Sequence, residues 1–380
     1  MSAGGSERFA RIALSFLAEP GDLALGRLVE ACGPTAAFAA ICDGRPPPAA
    51  ALGGIPGLDR GIERWAARLS RVPTDSRLAA WARAGIRVVC PGDAEWPDRL
   101  GSLGIAAPVL LWVHGCADLR VACQDSVSVV GARAATGYGS HVSTELAAAL
   151  AERGWTLVSG GAYGVDSCVH RAAVAAGGRT VAVLASGLGY GYPRGNRDLF
   201  TVIARDGALI SEWPPDQAPS RPGFLIRNRL IAALSAGTVV VEAAMRSGAL
   251  STARHARDLC RPLMAVPGPV TSNQSEGCHE IIRQWDAILV TGVADVIEAI
   301  SPVGDGLAAP HRDCTEPRDG LDAESAAVLE AFPGRGSRGP AQLAVEAGVS
   351  LDTAMRCLGL LAAAGFIERS ASGWRLRKMP

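Results

Sequence analysis

The chain has 380 residues, 48% of them hydrophobic, and its 37 basic and 37 acidic side chains cancel to zero formal charge. That length and apolar content support two or three packed domains and exclude a globally disordered chain. Lys378 is the one lysine; this excludes a phosphate-loop NTPase motif and Schiff-base chemistry in the body of the chain, and leaves arginine, which binds phosphate bidentately, as the only long cation available for a phosphate.

Taken in order, residues 1–75 are expected to form a helical domain of the SAM or helix-hairpin-helix kind. Phe9, Ile12, Ala13, Phe16 and Leu17 recur at helical spacing, and Gly33-Pro34 is expected to stop a second helix. Gly54-Ile55-Pro56-Gly57 before a helix over 58–69 is similar to a DNA-contacting hairpin, although a plain helical turn is the stronger reading. Residues 76–300 are expected to form a Rossmann-like core. Its lead-in holds short strands at 86–89 and 107–113. Core strands follow at 126–130, 156–159, 180–184, 208–211, 238–242, 262–266 and 287–290. These are continuous apolar runs alternating with helices, the pattern of a parallel sheet covered on both faces. Asn196 is expected to cap the helix that runs to Asp206. Residues 301–320, without periodicity, read as a linker. Residues 321–380 give three helices and a hairpin, a winged-helix pattern suited to DNA or to protein contact. The fold class is therefore α/β: a Rossmann-like parallel sheet core with a helical N-terminal domain and a C-terminal winged-helix domain.

Several core strands run into glycine turns. These are Gly131-Ala132-Arg133, Gly160-Gly161-Ala162-Tyr163-Gly164-Val165-Asp166 and Ser186-Gly187. In an open α/β sheet such turns lie at the ligand-binding edge, where backbone N–H groups favour anions. The dinucleotide fingerprint G-x-G-x-x-G is absent after the first core strand. Arg133, Arg194, Arg227, Arg229 and Arg246 all fall at or just beyond strand ends, and converge on one rim. A row of cations of that length suits successive phosphates of a nucleic-acid strand better than one nucleotide. Asp166 and His170, four residues apart, allow a base and its orienter; a helix-start aspartate beside a satisfied histidine is the plainer reading. Glu212 and Glu242 at strand ends are either catalytic or loop anchors. The ten cysteines form no C-x-x-C pair, so no metal or redox site is expected, and no cofactor. No signal segment or long apolar run is read, so the expectation is a cytoplasmic protein without a membrane partner.

At these residues the chain resembles the DNA-processing protein A family (DprA, also called Smf). The resemblance spans roughly 85–300. It rests on Val129-Val130-Gly131-Ala132-Arg133 with Thr136-Gly137-Tyr138-Gly139, Ser159-Gly160-Gly161-Ala162-Tyr163-Gly164-Val165-Asp166 with His170, and Tyr192-Pro193-Arg194-Gly195-Asn196. It continues through Phe224-Leu225-Ile226-Arg227-Asn228-Arg229, Val241-Glu242-Ala243 and Val266-Pro267-Gly268. The resemblance implies a non-enzymatic protein that binds single-stranded DNA in natural transformation, protects it and loads a RecA-type recombinase onto it. It also implies a homodimer formed through the Rossmann-like domain. On this analogy Gly131, Ala132, Arg133, Ser159, Gly160, Gly161, Arg194, Asn196, Arg227, Asn228 and Arg229 line the DNA groove. Ala132 stands where the family usually has serine, which removes one phosphate hydrogen bond, and Gly189 where aspartate is common. The alternatives are a nucleoside-monophosphate phosphoribohydrolase of the lysine-decarboxylase-like group, whose Pro-Gly-Gly-x-Gly-Thr motif is missing, and a winged-helix regulator with an effector-binding core.

Overall fold

The computed structural model describes residues 3–47, 54–301, 321–334, 336–370 and 372–377. The expected linker, beyond Ser301, and Lys378 lie outside the described residues. Two compact units divide the chain, residues 1–308 and 309–380.

Among the described residues the first unit opens with four α-helices: α1 (Ala3–Leu17), α2 (Leu23–Asp43), α3 (Leu58–Ala66) and α4 (Asp75–Arg83). Asp22 starts α2, its carboxylate accepting from the N–H groups of Ala24 and Leu25. Gly33-Pro34 interrupts this helix rather than stopping it. Gly33 alone leaves helical geometry (φ 77°, ψ 162°), and the chain resumes at Pro34 and runs to a left-handed Gly44 cap. Proline is tolerated there because a first helical turn needs no N–H from it. By length and composition α2 reaches the threshold for a membrane-crossing helix. It breaks at Gly33, and Leu25, Leu28, Ala37 and Ile41 pack with Leu14, Leu17, Ile62 and Trp65 in one apolar cluster.

The strands of this unit build one nine-stranded sheet in the order β1-β2-β6-β5-β4-β3-β7-β8-β9. They are β1 (Ile86–Val89), β2 (Leu111–His114), β3 (Ser126–Val130), β4 (Thr156–Ser159), β5 (Thr180–Val183), β6 (Ala208–Ser211), β7 (Gly237–Val240), β8 (Leu263–Ala265) and β9 (Ile288–Leu289). From β6 to β9 every pairing is parallel, and the lead-in strands β2 and β1 add on antiparallel. The helices between them are α5 (Leu119–Gln124), α6 (Gly137–Glu152), α7 (Val165–Ala175), α8 (Arg197–Asp206), α9 (Arg221–Leu234), α10 (Gly248–Asp258), α11 (Glu276–Gln284) and α12 (Val293–Ile300). Every residue of β3 to β8 is buried, which is why these strands read as unbroken apolar runs. Leu146, Leu150 and Val169 of α6 and α7 cover one face; Leu230, Leu234 and Ala253 of α9 and α10 cover the other.

The second unit holds α13 (Ala323–Glu330), α14 (Pro340–Ala347), α15 (Leu351–Ala363) and an antiparallel hairpin of β10 (Ile367–Ser370) and β11 (Gly373–Leu376). Val328, Leu343, Leu358, Leu361 and Phe366 form its core.

The helical segment and the sheet meet where α2 lies on the short 3-10 stretch Asp98–Ala106. A Cβ on Gly26 would sit 1.9 Å from the backbone oxygen of Ile105, and backbone cannot yield as a side chain can. Gly26→Ala is therefore expected to destabilise by about 1–3 kcal/mol, although alanine is the better helix former by about 1 kcal/mol. Denaturant unfolding of the full chain measures it.

Candidate nucleic-acid interface

In the sheet β3 lies between β4 and β7, and the helices that follow β3 and β7 cover opposite faces. Strand order reverses at that point, so a crevice opens beyond the carboxyl ends. A cleft of about 690 Å³ occupies it. Gly131, Ala132 and Arg133 line it from the β3 turn, Ala162 from the β4 turn, Asp166 from the first turn of α7, and Ala244 and Arg246 from the β7 turn. Arg221, Phe224, Arg227 and Asn228 line it from α9.

The floor depends on residues without side chains. A Cβ on Gly160 would fall 1.8 Å from a terminal nitrogen of Arg227 and 2.6 Å from Asp166 Oδ2. Gly161 holds a left-handed φ of 67°, open to glycine without steric penalty. Into the space behind Gly160 goes the Arg227 guanidinium, 4% exposed, donating from Nη1 to the Val183 carbonyl at 2.8 Å. Its Nε has no partner. Desolvation lowers the Arg227 pKa to about 10; Asp166 opposes that shift and Arg133 adds to it. Arg227 therefore keeps its charge at neutral pH. Burial also raises the Asp166 carboxyl, against the pull of Arg227 and of the Ala162 N–H.

The rim carries cations and aromatic rings. The Arg133 guanidinium lies over the Phe224 ring, 4.5 Å from its centre, and the Tyr192 ring is 5.9 Å from that of Phe224. Arg133, Arg194, Arg221 and Arg246 are exposed. Among the described residues none of these four has a carboxylate within ion-pair distance. Arg194, on the 3-10 turn Arg194–Asn196, stands outside the cleft lining.

Several residues expected in the groove are occupied elsewhere. Arg229 is buried, with two hydrogen bonds to Glu212 at 2.5 and 2.7 Å and a third to the Ala106 carbonyl at 3.1 Å. It locks α9 to the end of β6 and is not available to a phosphate. Asn196 makes no capping bond to α8. Its amide instead donates to Gly161 O at 3.0 Å and Ser167 Oγ at 2.8 Å, which braces the Gly160-Gly161 turn from behind. Ser159 is buried and donates to the Val129 carbonyl, and Asn228 donates to Gly248 O. Ala132 is buried too, and its carbonyl accepts from the Val165 N–H. A Cβ on Gly131 would meet Val165 at 2.6 Å.

The acids follow the plainer reading. Asp166 accepts from the Ala162 N–H. Glu242 accepts from both the N–H and the hydroxyl of Thr136, at 3.0 and 2.6 Å, and so holds the start of α6. His170 is satisfied on one side only. Thr180 Oγ1 donates to Leu157 O and so accepts from His170 Nδ1, which leaves Nε2 bare and buried. Arg221 and Phe224 were not expected in the cleft. With Arg227 and Asn228 they fall at positions 0, 3, 6 and 7 of α9, and that spacing on one helix face is the signal that marks them.

The family model for DNA recombination-mediator protein A matches residues 87–301. A putative DNA processing protein DprA from Mycobacterium tuberculosis is 41% identical over 378 residues, 96% of this chain and 92% of that protein. The chain belongs to the DprA/Smf family. Among solved structures, DprA from Streptococcus pneumoniae superposes with a TM-score of 0.62 at 31% identity, over 77% of this chain and 96% of that one. DprA from Helicobacter pylori, described for its single-stranded DNA binding mode, gives 0.51 at 29% identity, over 56% and 94%. The DprA/Smf motifs quoted from the sequence fall on the turns after β3, β4, β5, β7 and β8 and on α9.

Two consequences are measurable. Glu212→Gln leaves a buried guanidinium without its counter-charge and is expected to destabilise by about 3–5 kcal/mol, as breaking a buried pair does. Pairing Glu212→Leu with Arg229→Met should lose much less in the same denaturant titration. The second concerns pH. Burial, helped by Arg227, lowers the His170 pKa from 6.5 to about 3. The unfolded chain takes up that proton near 6.5 and the folded chain withholds it, so stability falls as pH drops below 6.5. The loss is about 2 kcal/mol by pH 5. His170→Asn should be less stable at pH 8 yet lack this part of the acid slope.

Proposed function

We propose that this chain is a non-enzymatic single-stranded DNA-binding protein. On this reading it takes the strand along the cleft, protects it and passes it to a RecA-type recombinase during transformation or homologous recombination. The observation that carries this is three exposed arginines without carboxylate partners, Arg133, Arg221 and Arg246, at a switch-point cleft whose floor holds one more, buried cation. Phosphates would lie on the Gly131 and Gly160 turns between Arg133, Arg221 and Arg246, with Arg227 beneath. An unpaired base can stack on Phe224, as aromatic side chains do in single-strand sites. The strand-end acids needed by a phosphoribohydrolase reading are already engaged, Glu212 on Arg229 and Glu242 on Thr136. No cofactor is part of this function, and a cytoplasmic setting and a homodimer through the Rossmann-like domain go with the family resemblance.

For the C-terminal unit, proposed as a winged helix, we favour a protein-contact or spacer role. Arg338 pairs with Glu346, Arg356 with Glu324 and Arg375 with Glu368, so three of the five basic side chains among its described residues are paired within the unit. Helix α15 leaves Leu351, Met355 and Leu360 each 51% exposed, where a DNA-reading helix would carry polar and basic groups.

A titration of labelled oligo-dT against duplex of the same length, at several salt concentrations, tests the main reading. Binding should favour the single strand. Arg133→Ala combined with Arg246→Ala should weaken it and flatten the slope of log K against log salt by about 0.7 for each phosphate no longer neutralised. Arg229→Ala should lower stability rather than the salt slope. Equal affinity for both forms, or an unchanged slope in the double variant, overturns the reading.

A further inference from the structure

The chain has four tyrosines, and all of them are exposed: Tyr138, Tyr163, Tyr190 and Tyr192. Each follows the carboxyl end of a central strand, Tyr138 after β3, Tyr163 after β4, Tyr190 and Tyr192 after β5. Tyrosine is a residue of intermediate burial, so single exposed examples need no explanation. Their confinement to one edge of one sheet, the edge that bears Arg133, Arg194, Arg221 and Arg246, does.

Two of them continue the line of the cleft. From Arg133 the line runs to Phe224 at 4.5 Å and on to Tyr192 at 5.9 Å. The loop Tyr192-Pro193-Arg194-Gly195 then reaches Tyr163, whose phenolic oxygen accepts from the Gly195 N–H at 3.2 Å. The approach is close, since a Cβ on Gly195 would fall 2.8 Å from the same oxygen. Tyr163 is thus fixed at its hydroxyl tip while the residue remains 51% exposed. A ring fixed at its tip loses little rotamer freedom when a flat ligand settles on it. Arg194, left outside the cleft, directly precedes Gly195 in the chain and so lies beside this anchored ring.

We propose that Tyr163, together with Tyr192, forms a second base-stacking platform that carries the strand beyond the cleft and over the β4 and β5 turns. Its ligand is an unpaired nucleobase of any identity, because every base has a π-face, and Arg194 meets the adjoining phosphate. This rests on the single-stranded DNA reading of the cleft and extends its footprint towards β5.

The test uses the full chain, fluorescein-labelled dT20 and a dT20 analogue in which every residue is abasic. Tyr163→Ala should bind dT20 about five- to a hundredfold more weakly, the loss typical of one aromatic stacking platform, with the salt slope unchanged because no charge is removed. Tyr163→Phe should bind like the parent, since the ring remains. On the abasic strand Tyr163→Ala should equal the parent. The platform is overturned if Tyr163→Phe loses as much as Tyr163→Ala, because the hydroxyl anchor of the turn then accounts for the effect. It is also overturned if Tyr163→Ala loses equally on the abasic strand or loses nothing on dT20. If Arg133→Ala weakens dT20 binding while Tyr163→Ala does not, only the platform fails. If the parent does not bind dT20, both readings fail together.

Discussion

A guanidinium is buried beneath a turn that has room for it only because residue 160 has no side chain. Arg227 cannot shed its charge, and its burial is costly unless the charge is compensated. Val183 O takes one of its N–H groups and Asp166 supplies a nearby negative charge, but its Nε finds no partner in the protein. Arg133, on the next turn, raises the potential further. On the proposed reading, the β4 turn is therefore where a phosphate would relieve an existing excess of positive charge. The surrounding structure keeps that arrangement from collapsing: Asn196 braces the turn from behind, its side-chain amide committed to the Gly161 carbonyl and the Ser167 hydroxyl.

The zero net charge of the chain conceals a sorting of its arginines. Arg227 and Arg229 are two residues apart on α9, and positions i and i+2 do not share a helix face. One turns towards Gly160 and the cleft. The other turns towards Glu212 and the 3-10 stretch before β2, where it makes a bidentate ion pair and is withheld from any ligand. Gly21 makes room for that side chain, with its Cβ position 3.3 Å from the Arg229 Nε. On the proposed reading, identical side chains in one short motif thus serve the ligand and the domain junction separately.

The strands were legible because burial on both faces leaves no choice but apolar runs, and the cleft was legible in outline because glycine and arginine recur at strand ends. What could not be read was pairing across distance. Nothing in a linear reading assigns Glu212 to Arg229, 17 residues on, rather than to solvent, and so Arg229 was placed in the groove. Asn196 looked like a cap because it precedes a helix, but the Gly161 carbonyl, which only the folded sheet brings near, competes for the same amide. At Gly33-Pro34 two helix-stop residues coincide, yet Pro34 begins a new turn as readily as it ends one. Phe224 and Arg221 carry no strand-end signal; only their spacing with Arg227 on one face of α9 places them in the cleft.

The division of labour along this edge has a consequence for selectivity. Phosphates are presented by duplex and single strand alike, so cations alone set affinity and its salt dependence without discriminating strongly between the two. Aromatic faces are different, since a base must leave its partner to lie on one. On the proposed reading Arg133 over Phe224 joins both functions in one place, a cation held by the π-face whose free side a base would use. Tyr192 and Tyr163 then extend the part of the surface that only an unpaired strand can satisfy. A protein with no net charge can in this way concentrate discrimination at one sheet edge, where Arg133, Arg221 and Arg246 stand exposed beside aromatic rings.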